Sequence, residues 1–396
     1  MVAVSETRID PLDMLDSLSM LVERSLIGFD EVTGRYSMLE TVRQYSREKL
    51  ADSDEGQRVR DKHAEHVRGF LKSLPAPEKI DDSTKMIALV NGDIDNVRAA
   101  FEHLIASEQI GEAGWVLGQI HMYWIWTGKL EEVRAYYRRL LESFRENESA
   151  IDEGVADALM AYCSLYTFLV HHEEALSDIA FGMRVWTKIG DAERLGGLLR
   201  IRGNIELARG RVDDAERSYL ESLAATNGED PESRIANNLG LVEVVRKNWD
   251  KARPLLEESL AKGKSLRMRL PAYANLSRVA FNQGHLDETR DFILKLFEWH
   301  GETLSPFGIM PTLERVAEYA LAMGRPDDSA TCLGAGQSLR DEYRFARSNY
   351  EQEDFDRIRA GCLSSLGESE FDRCYAVGAA MSLVEAQRFG RRAMDS

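Results

Sequence analysis

The chain has 396 residues, with 50 basic against 67 acidic side chains and a formal net charge of −17. That balance opposes the phosphate-neutralising surface that nucleic-acid binding requires, so direct DNA contact by this chain is not expected. Its cysteines, Cys163, Cys332, Cys362 and Cys374, show no paired short spacing, and residues 1–10 are too polar for a signal peptide, which points to a cytoplasmic protein.

At the N-terminus, Leu12, Leu15, Leu18, Val22 and Leu26 recur at helical spacing. Residues 25–29 and 35–39 then flank the turn sequence Asp30-Glu31-Val32-Thr33-Gly34, predicting a β-hairpin. A second helix is expected near Thr41, a candidate N-cap, carrying Val42, Tyr45 and Leu50. The expected divisions are a small unit over 1–52, a connecting helical segment over 53–90, an array over 91–345 and capping helices over 346–396. The most apolar runs, 113–127 and 158–170, are too short and interrupted to span a bilayer and read as buried helices.

The array announces itself by repetition. A six-residue element begins at Gly128, Val170, Gly210, Lys247, Gly284 and Gly324, at intervals of 42, 40, 37, 37 and 40 residues. Each copy has a helix-breaking position, two variable residues, an acid, one more residue, then usually a small one. A fixed period of this size predicts stacked helical hairpins. Glycine enters the left-handed conformation that closes the first helix. The acid falls in the first turn of the second helix, where the positive end of the dipole favours it. Small residues such as Ala175, Ala215, Ala252 and Ser329 let the two helices approach; Val133 and Thr289 depart mildly from the pattern. The expected fold class is all-α, a right-handed α-α superhelix of tetratricopeptide type, with a β-hairpin only in the N-terminal unit.

The runs Leu21-Val22-Glu23-Arg24-Ser25-Leu26-Ile27, Arg35-Tyr36-Ser37-Met38-Leu39-Glu40-Thr41-Val42-Arg43-Gln44-Tyr45, Glu48-Lys49-Leu50 and Arg60-Asp61-Lys62-His63-Ala64-Glu65-His66 extend the reading. They closely resemble the end of the winged-helix domain, and the helix after it, in bacterial STAND-class signalling ATPases. In those large LuxR-like or SARP-like regulators an NB-ARC-like ATPase is joined to tetratricopeptide repeats. The resemblance enters the repeats at Asp93-Ile94-Asp95-Asn96-Val97-Arg98-Ala99-Ala100-Phe101 and runs through Cys332-Leu333-Gly334-Ala335-Gly336 to Ala386, covering almost the whole chain. It implies a partial winged helix, an ATPase domain supplied before Met1 or in trans, and a sensor array.

Local motifs offer no chemistry of their own. Gly263-Lys264-Ser265 looks like the end of a phosphate loop, but that loop needs a glycine where Glu258 stands. His63 and His66 share a helix face without an identifiable third metal ligand, and His171-His172 with Glu173-Glu174 fall in an inter-helix turn. The resemblance implies a phosphate-sensing histidine near Tyr36-Ser37-Met38-Leu39-Glu40, and none is there. Tyr123, Trp124, Trp126, Tyr136 and Tyr137, like Trp186 and Trp249, are spaced for buried packing. No nucleophile, acid and base assemble, so neither an enzyme nor a cofactor or metal is expected.

The groove carries the sharper expectation. First helices of stacked hairpins line a concave face, and placing the repeats in register puts Arg200, Asn204, Arg234, Asn237, Asn238 and Arg278 on it. Arginine and asparagine suit carboxylates or acidic peptide segments, although salt bridges within the array use the same residues. The function expected is a non-enzymatic interaction or effector-sensing module of a STAND-type regulator. Its partner would be a protein or peptide, with an ATPase domain in trans and a small-molecule effector as further candidates, and no membrane or direct nucleic-acid contact. The alternative is a freestanding adaptor or assembly scaffold without ligand sensing. A winged helix lacking its first helices would leave apolar faces built on Leu12, Leu15, Leu18, Val22, Phe29 and Tyr45 incompletely covered.

Overall fold

The computed structural model describes residues 11–75, 83–146, 158–163, 172–228, 234–264, 266–303 and 306–395. Helix α1 (Pro11–Glu23) leads into the antiparallel hairpin β1 (Ile27–Asp30) and β2 (Arg35–Met38), with Ile27 opposite Met38 and Asp30 opposite Arg35. Asp30 makes the turn. Its carboxylate accepts from the Val32 N–H at 2.9 Å and the Thr33 hydroxyl at 2.8 Å, while Gly34 takes φ 66°. Helix α2 (Glu40–Ala51) starts two residues earlier than a cap at Thr41 would place it: Leu39 holds the N-cap position without a side-chain bond, and Thr41 lies inside the first turn. Glu40 favours that start because its charge faces the dipole and pairs with Arg43.

This unit is thinly covered. Leu18 and Ile27 are buried where α1 meets β1, but Leu12 is 68% exposed, Leu15 51%, Phe29 45% and Tyr45 61%. Arg35 ties the hairpin to the array. It donates to the Gly92 carbonyl and pairs with Asp93 at 2.5 Å.

Helices α3 (Gly56–Ser73) and α4 (Ser83–Asn91) connect to the array. It runs through α5 (Ile94–Ala106), α6 (Ile110–Gln119), α7 (His121–Trp126), α8 (Leu130–Glu146), α9 (158–163), α10 (His172–Ile189), α11 (Ala192–Ala208) and α12 (Val212–Ala225). It continues through α13 (Arg234–Val245), α14 (Trp249–Lys262), α15 (Leu266–Asn282), α16 (Leu286–Thr303), α17 (Pro306–Ala322) and α18 (Pro326–Glu342). Helices α19 (Asn349–Leu366), α20 (Glu368–Ala379) and α21 (Leu383–Asp395) follow. The pairs α11–α12, α13–α14, α15–α16 and α17–α18 pack as hairpins, and each hairpin stacks on the next. The chain is an all-α, tetratricopeptide-like solenoid, and among the described residues its only sheet is the N-terminal hairpin.

The recurring element explains the turns. All six second helices start at its third residue: Leu130, His172, Val212, Trp249, Leu286 and Pro326. Gly128, Gly210, Gly284 and Gly324 have φ between 70° and 79°, and Lys247 takes the same conformation at 61°. Val170 lies outside the described residues. Val133, Ala175, Ala215, Ala252 and Ser329 are fully buried and Thr289 nearly so; β-branched residues are accommodated there without loss of close packing. Carboxylates of the element, at the acid position in Asp213 and at the position after it in Glu132, Glu174 and Glu288, do more than face a dipole. Glu132 pairs with Arg98 at 2.7 Å, Glu174 with Arg134 at 2.5 Å, Asp213 with Arg246 at 2.6 Å and Glu288 with Arg253 at 2.8 Å. Each pair spans 33 to 40 residues, so the acids clamp consecutive repeats together. Tyr123, Trp124, Tyr137 and Trp186 fill the core, while Trp126, Tyr136 and Trp249 are half-buried.

At the C-terminal end α20 crosses α18 almost backbone to backbone. A Cβ on Gly378 would meet the Thr331 carbonyl oxygen at 1.9 Å, and one on Gly334 would meet that of Tyr375 at 2.0 Å. The chain between α18 and α19 then crosses the inside of the superhelix. Tyr343 packs on the turn at Gly128 and Asn349 on the turn at Gly210. Among the described residues, no helix is long and apolar enough to cross a membrane.

Candidate partner-binding groove

The expected groove residues sit on α11, α13 and α15, the first helices of three consecutive hairpins. Three of them are joined. Asn204 Oδ1 accepts from the Tyr219 hydroxyl and from Asn238 Nδ2, both at 2.9 Å. Asn237 Nδ2 donates to Asn238 Oδ1 at 3.2 Å, and its own Oδ1 accepts from Asn275 Nδ2 at 3.1 Å. The result is a continuous amide ladder across three repeats. Asn237 and Asn275 are buried, whereas Asn204 and Asn238 are half-buried. Buried amides without partners would cost about 1–3 kcal/mol each, so the ladder also fixes the stacking register.

Arg200 lies on α11 one turn before Asn204, half-buried, and Arg234 is exposed at the start of α13. Burial raises the Tyr219 phenol well above its ordinary range; Tyr350 adds to that shift and the Arg200 charge opposes it. Arg278 is not presented to solvent. It is buried beneath α19, with Asp354 at 3.5 Å and the Tyr350 ring centroid at 5.0 Å. Burial would lower its pKa, but Asp354, Tyr350, Glu351 and Glu318 raise it further, so it stays charged.

Thus α19 covers the C-terminal half of the concave face. Its anchor is a buried ionic network. Arg340 and Arg347 each donate to Glu314 at 2.9 Å, Arg315 pairs with Glu318 at 2.5 Å and Asp354 at 3.2 Å, and Arg357 also reaches Glu318. Glu314, Arg315, Glu318 and Arg340 are all buried, and charges buried at that depth hold the fold only when paired. Tyr350 reaches past them to pack with Tyr219, Leu207 and Ile235.

Asn275, Tyr219, Tyr350 and Asp354 were not legible as site residues from local motifs. For Asn275 a signal existed: it follows Asn237 by 38 residues, close to the element's own spacing. For Tyr350 and Asp354 there was none, because they reach the groove through the crossing of residues 343–349.

The other motifs settle as packing. Gly263 caps α14 in an extended conformation, and Ser265 lies outside the described residues. His63 contacts Asn96 at 3.5 Å, and burial, opposed by that contact, lowers its pKa. His171 lies outside the described residues. Among the described residues one set of three potential metal ligands comes together, Asp327, Glu370 and Cys374. Arg373 pairs with Glu370 at 2.5 Å there.

No family model matches the chain. Over 174 residues it is 33% identical to proteins of Mycobacterium tuberculosis and Mycobacterium bovis described as HTH-type transcriptional regulators. The match takes in 43% of this chain and 20% of each relative, so the chain spans about a fifth of the length of the curated relatives it matches. Among solved structures, it is similar to the apo form of the quorum sensor NprR from Bacillus thuringiensis at 12% identity, covering 96% of both chains with a TM-score of 0.48. A STAND protein with a tetratricopeptide repeat sensor from Pyrococcus horikoshii matches at 16% identity over 91% of this chain and 60% of that one, with a TM-score of 0.39. These scores are too low for any detail of the site to be transferred. What the chain shows is sequence similarity to part of HTH-type transcriptional regulators, carried on a helical-repeat fold.

Proposed function

We propose that this chain is a non-enzymatic interaction and effector-sensing module of a STAND-type transcriptional regulator, acting in the cytoplasm. One observation carries the reading: the concave face already holds a peptide segment, the chain's own residues 343–354, through Arg278 and the apolar cluster around Tyr219, beside the amide ladder. A face built to hold one extended or helical segment can exchange it for another of similar chemistry, here an aromatic residue followed by an acid. Arg200, Asn204, Arg234 and Asn238 lie beside the covered half and are the residues that would meet an incoming partner. Displacing Tyr350 and Asp354 from Arg278 would loosen α19 and with it the C-terminal cap. The N-terminal unit, read as the end of a winged helix, would pass that change to an ATPase domain supplied by the same or another chain.

The test uses the full chain and a labelled synthetic peptide of residues 343–358. The Tyr350→Ala, Asp354→Ala variant, with its groove opened, is expected to bind the peptide saturably and more tightly than the wild type. Adding Asn238→Ala and Arg234→Ala should weaken that binding at least about tenfold. An opened, folded variant that ignores the peptide would overturn the groove reading.

A further inference from the structure

A second concavity lies away from the groove, between the N-terminal unit and helices α3 and α5. It is a cleft of about 1340 Å³, larger than the roughly 300–1,000 Å³ of typical small-ligand pockets. Its apolar lining is Leu15, Leu18, Tyr36, Leu50, Val59 and Ala99. Its walls carry Arg35, Arg43, Arg47, Arg60 and Arg98 against two carboxylates, Asp95 and Glu102. His63, His66 and His103 complete them. On a chain of net charge −17 this local excess runs against the average.

Most of those charges are spoken for. Arg35 pairs with Asp93, Arg43 with Glu40, and Arg98 with Asp95 and Glu132. Glu102 is held in turn by Arg139 at 2.6 Å, and His103 by Asp61 at 2.7 Å. Arg47 and Arg60 are different: among the described residues neither has a carboxylate in ion-pair range. The Nε of Arg43 is also buried with no hydrogen-bond partner. Unpaired guanidinium groups in the same cleft as this apolar lining match a planar anionic head joined to an apolar body.

We propose that this cleft binds an amphipathic organic anion, with a carboxylate or phosphate head on Arg47 and Arg60 and an aliphatic or aromatic body over Leu15, Leu18, Tyr36 and Val59. Its walls come from the hairpin and α2 on one side and from α3 and α5 on the other. A ligand there would add to the Arg35–Asp93 tie and hold the N-terminal unit against the array. The inference goes beyond the groove reading and is measured without it.

Calorimetry on the full chain with octanoate and with octyl phosphate tests it, with octyltrimethylammonium and inorganic phosphate as controls. Saturable binding of at least one octyl anion is expected, with no binding of the cation and weaker binding of inorganic phosphate; the two anions separate a carboxylate from a phosphate head. Arg47→Gln with Arg60→Gln should weaken it at least about tenfold with the melting temperature unchanged, since loss of charge-assisted bonds commonly exceeds one decade. Arg47→Glu should abolish it if the double variant folds poorly. The groove variant Asn238→Ala, Arg234→Ala should bind the anion like wild type. The proposal is overturned if neither octyl anion binds saturably, if inorganic phosphate binds as tightly, or if a folded arginine variant keeps wild-type affinity.

Discussion

Arg278 of α15 lies under the ring of Tyr350 on α19 and faces Asp354 one turn further along, at 3.5 Å. These residues stand more than seventy positions apart in the chain, and their contact seats α19 on the concave face. Asp354 also serves Arg315 at 3.2 Å, so replacing it with asparagine leaves two buried guanidinium groups short of a counter-charge. Removing one partner of a fully buried pair costs about 3–5 kcal/mol. Asp354 retains 27% side-chain exposure, so a loss of about 2 kcal/mol is expected, measured by urea unfolding at neutral pH.

The same carboxylate sets an acid limit. Burial raises its pKa, but the charges of Arg315 and Arg278, with the hydrogen bond and charge of Arg357, lower it by more, and it ends below the ordinary aspartate value. Because the folded-state value is depressed, its contribution is complete above the unfolded value of about 3.9 and is lost as pH falls through the folded value. Between neutral pH and about pH 5 the Asp354→Asn deficit should therefore be constant. It should shrink below about pH 4, where the wild-type carboxylate also becomes neutral. A deficit that grows on acidification would contradict the pairing.

The left-handed turns predict changes of opposite sign. A Cβ on Gly284 meets nothing within 4 Å, so Gly284→Ala suffers only backbone strain and should lower stability by about 1 kcal/mol. Gly128→Ala adds a clash with the Tyr343 ring at 2.3 Å and should cost more. Lys247→Gly, at φ 61°, should instead gain several tenths of a kcal/mol. Thermal melts of the three variants side by side give the ranking.

The amide ladder predicts coupling. Asn237→Ala strands the Asn275 donor and Asn275→Ala strands the Asn237 acceptor, each costing about 1–3 kcal/mol. The double variant should cost less than the sum by about 1 kcal/mol. Strict additivity in chemical denaturation would show that the bond contributes nothing.

Arg35→Ala removes the tie to Gly92 and Asp93, but Arg35 is 47% exposed, so overall stability should change by less than about 1 kcal/mol. Its effect should be local. Amide exchange over residues 27–50 is expected to accelerate several-fold while α11 to α18 keep their protection, as read by hydrogen exchange with mass spectrometry.

The repeat period, the left-handed turn positions and the buried small residues were legible in the sequence because each is a local requirement. A helix must end, reverse and approach its partner within a few residues, and only certain side chains allow it. The hairpin was legible for the same reason, since Asp30 and Gly34 make its turn alone. Residues for the concave face could be named from register, but not what lies on them. That was decided by the crossing of 343–349 and by the close approach of Gly334 and Gly378 that seats the final helices. The cleft with Arg47 and Arg60 likewise has no sequence signature, because its two walls come from segments that are separate in the chain. Local backbone chemistry is written in neighbouring residues; which charges end up paired, buried or free depends on distant segments meeting, and only the tertiary structure determines that.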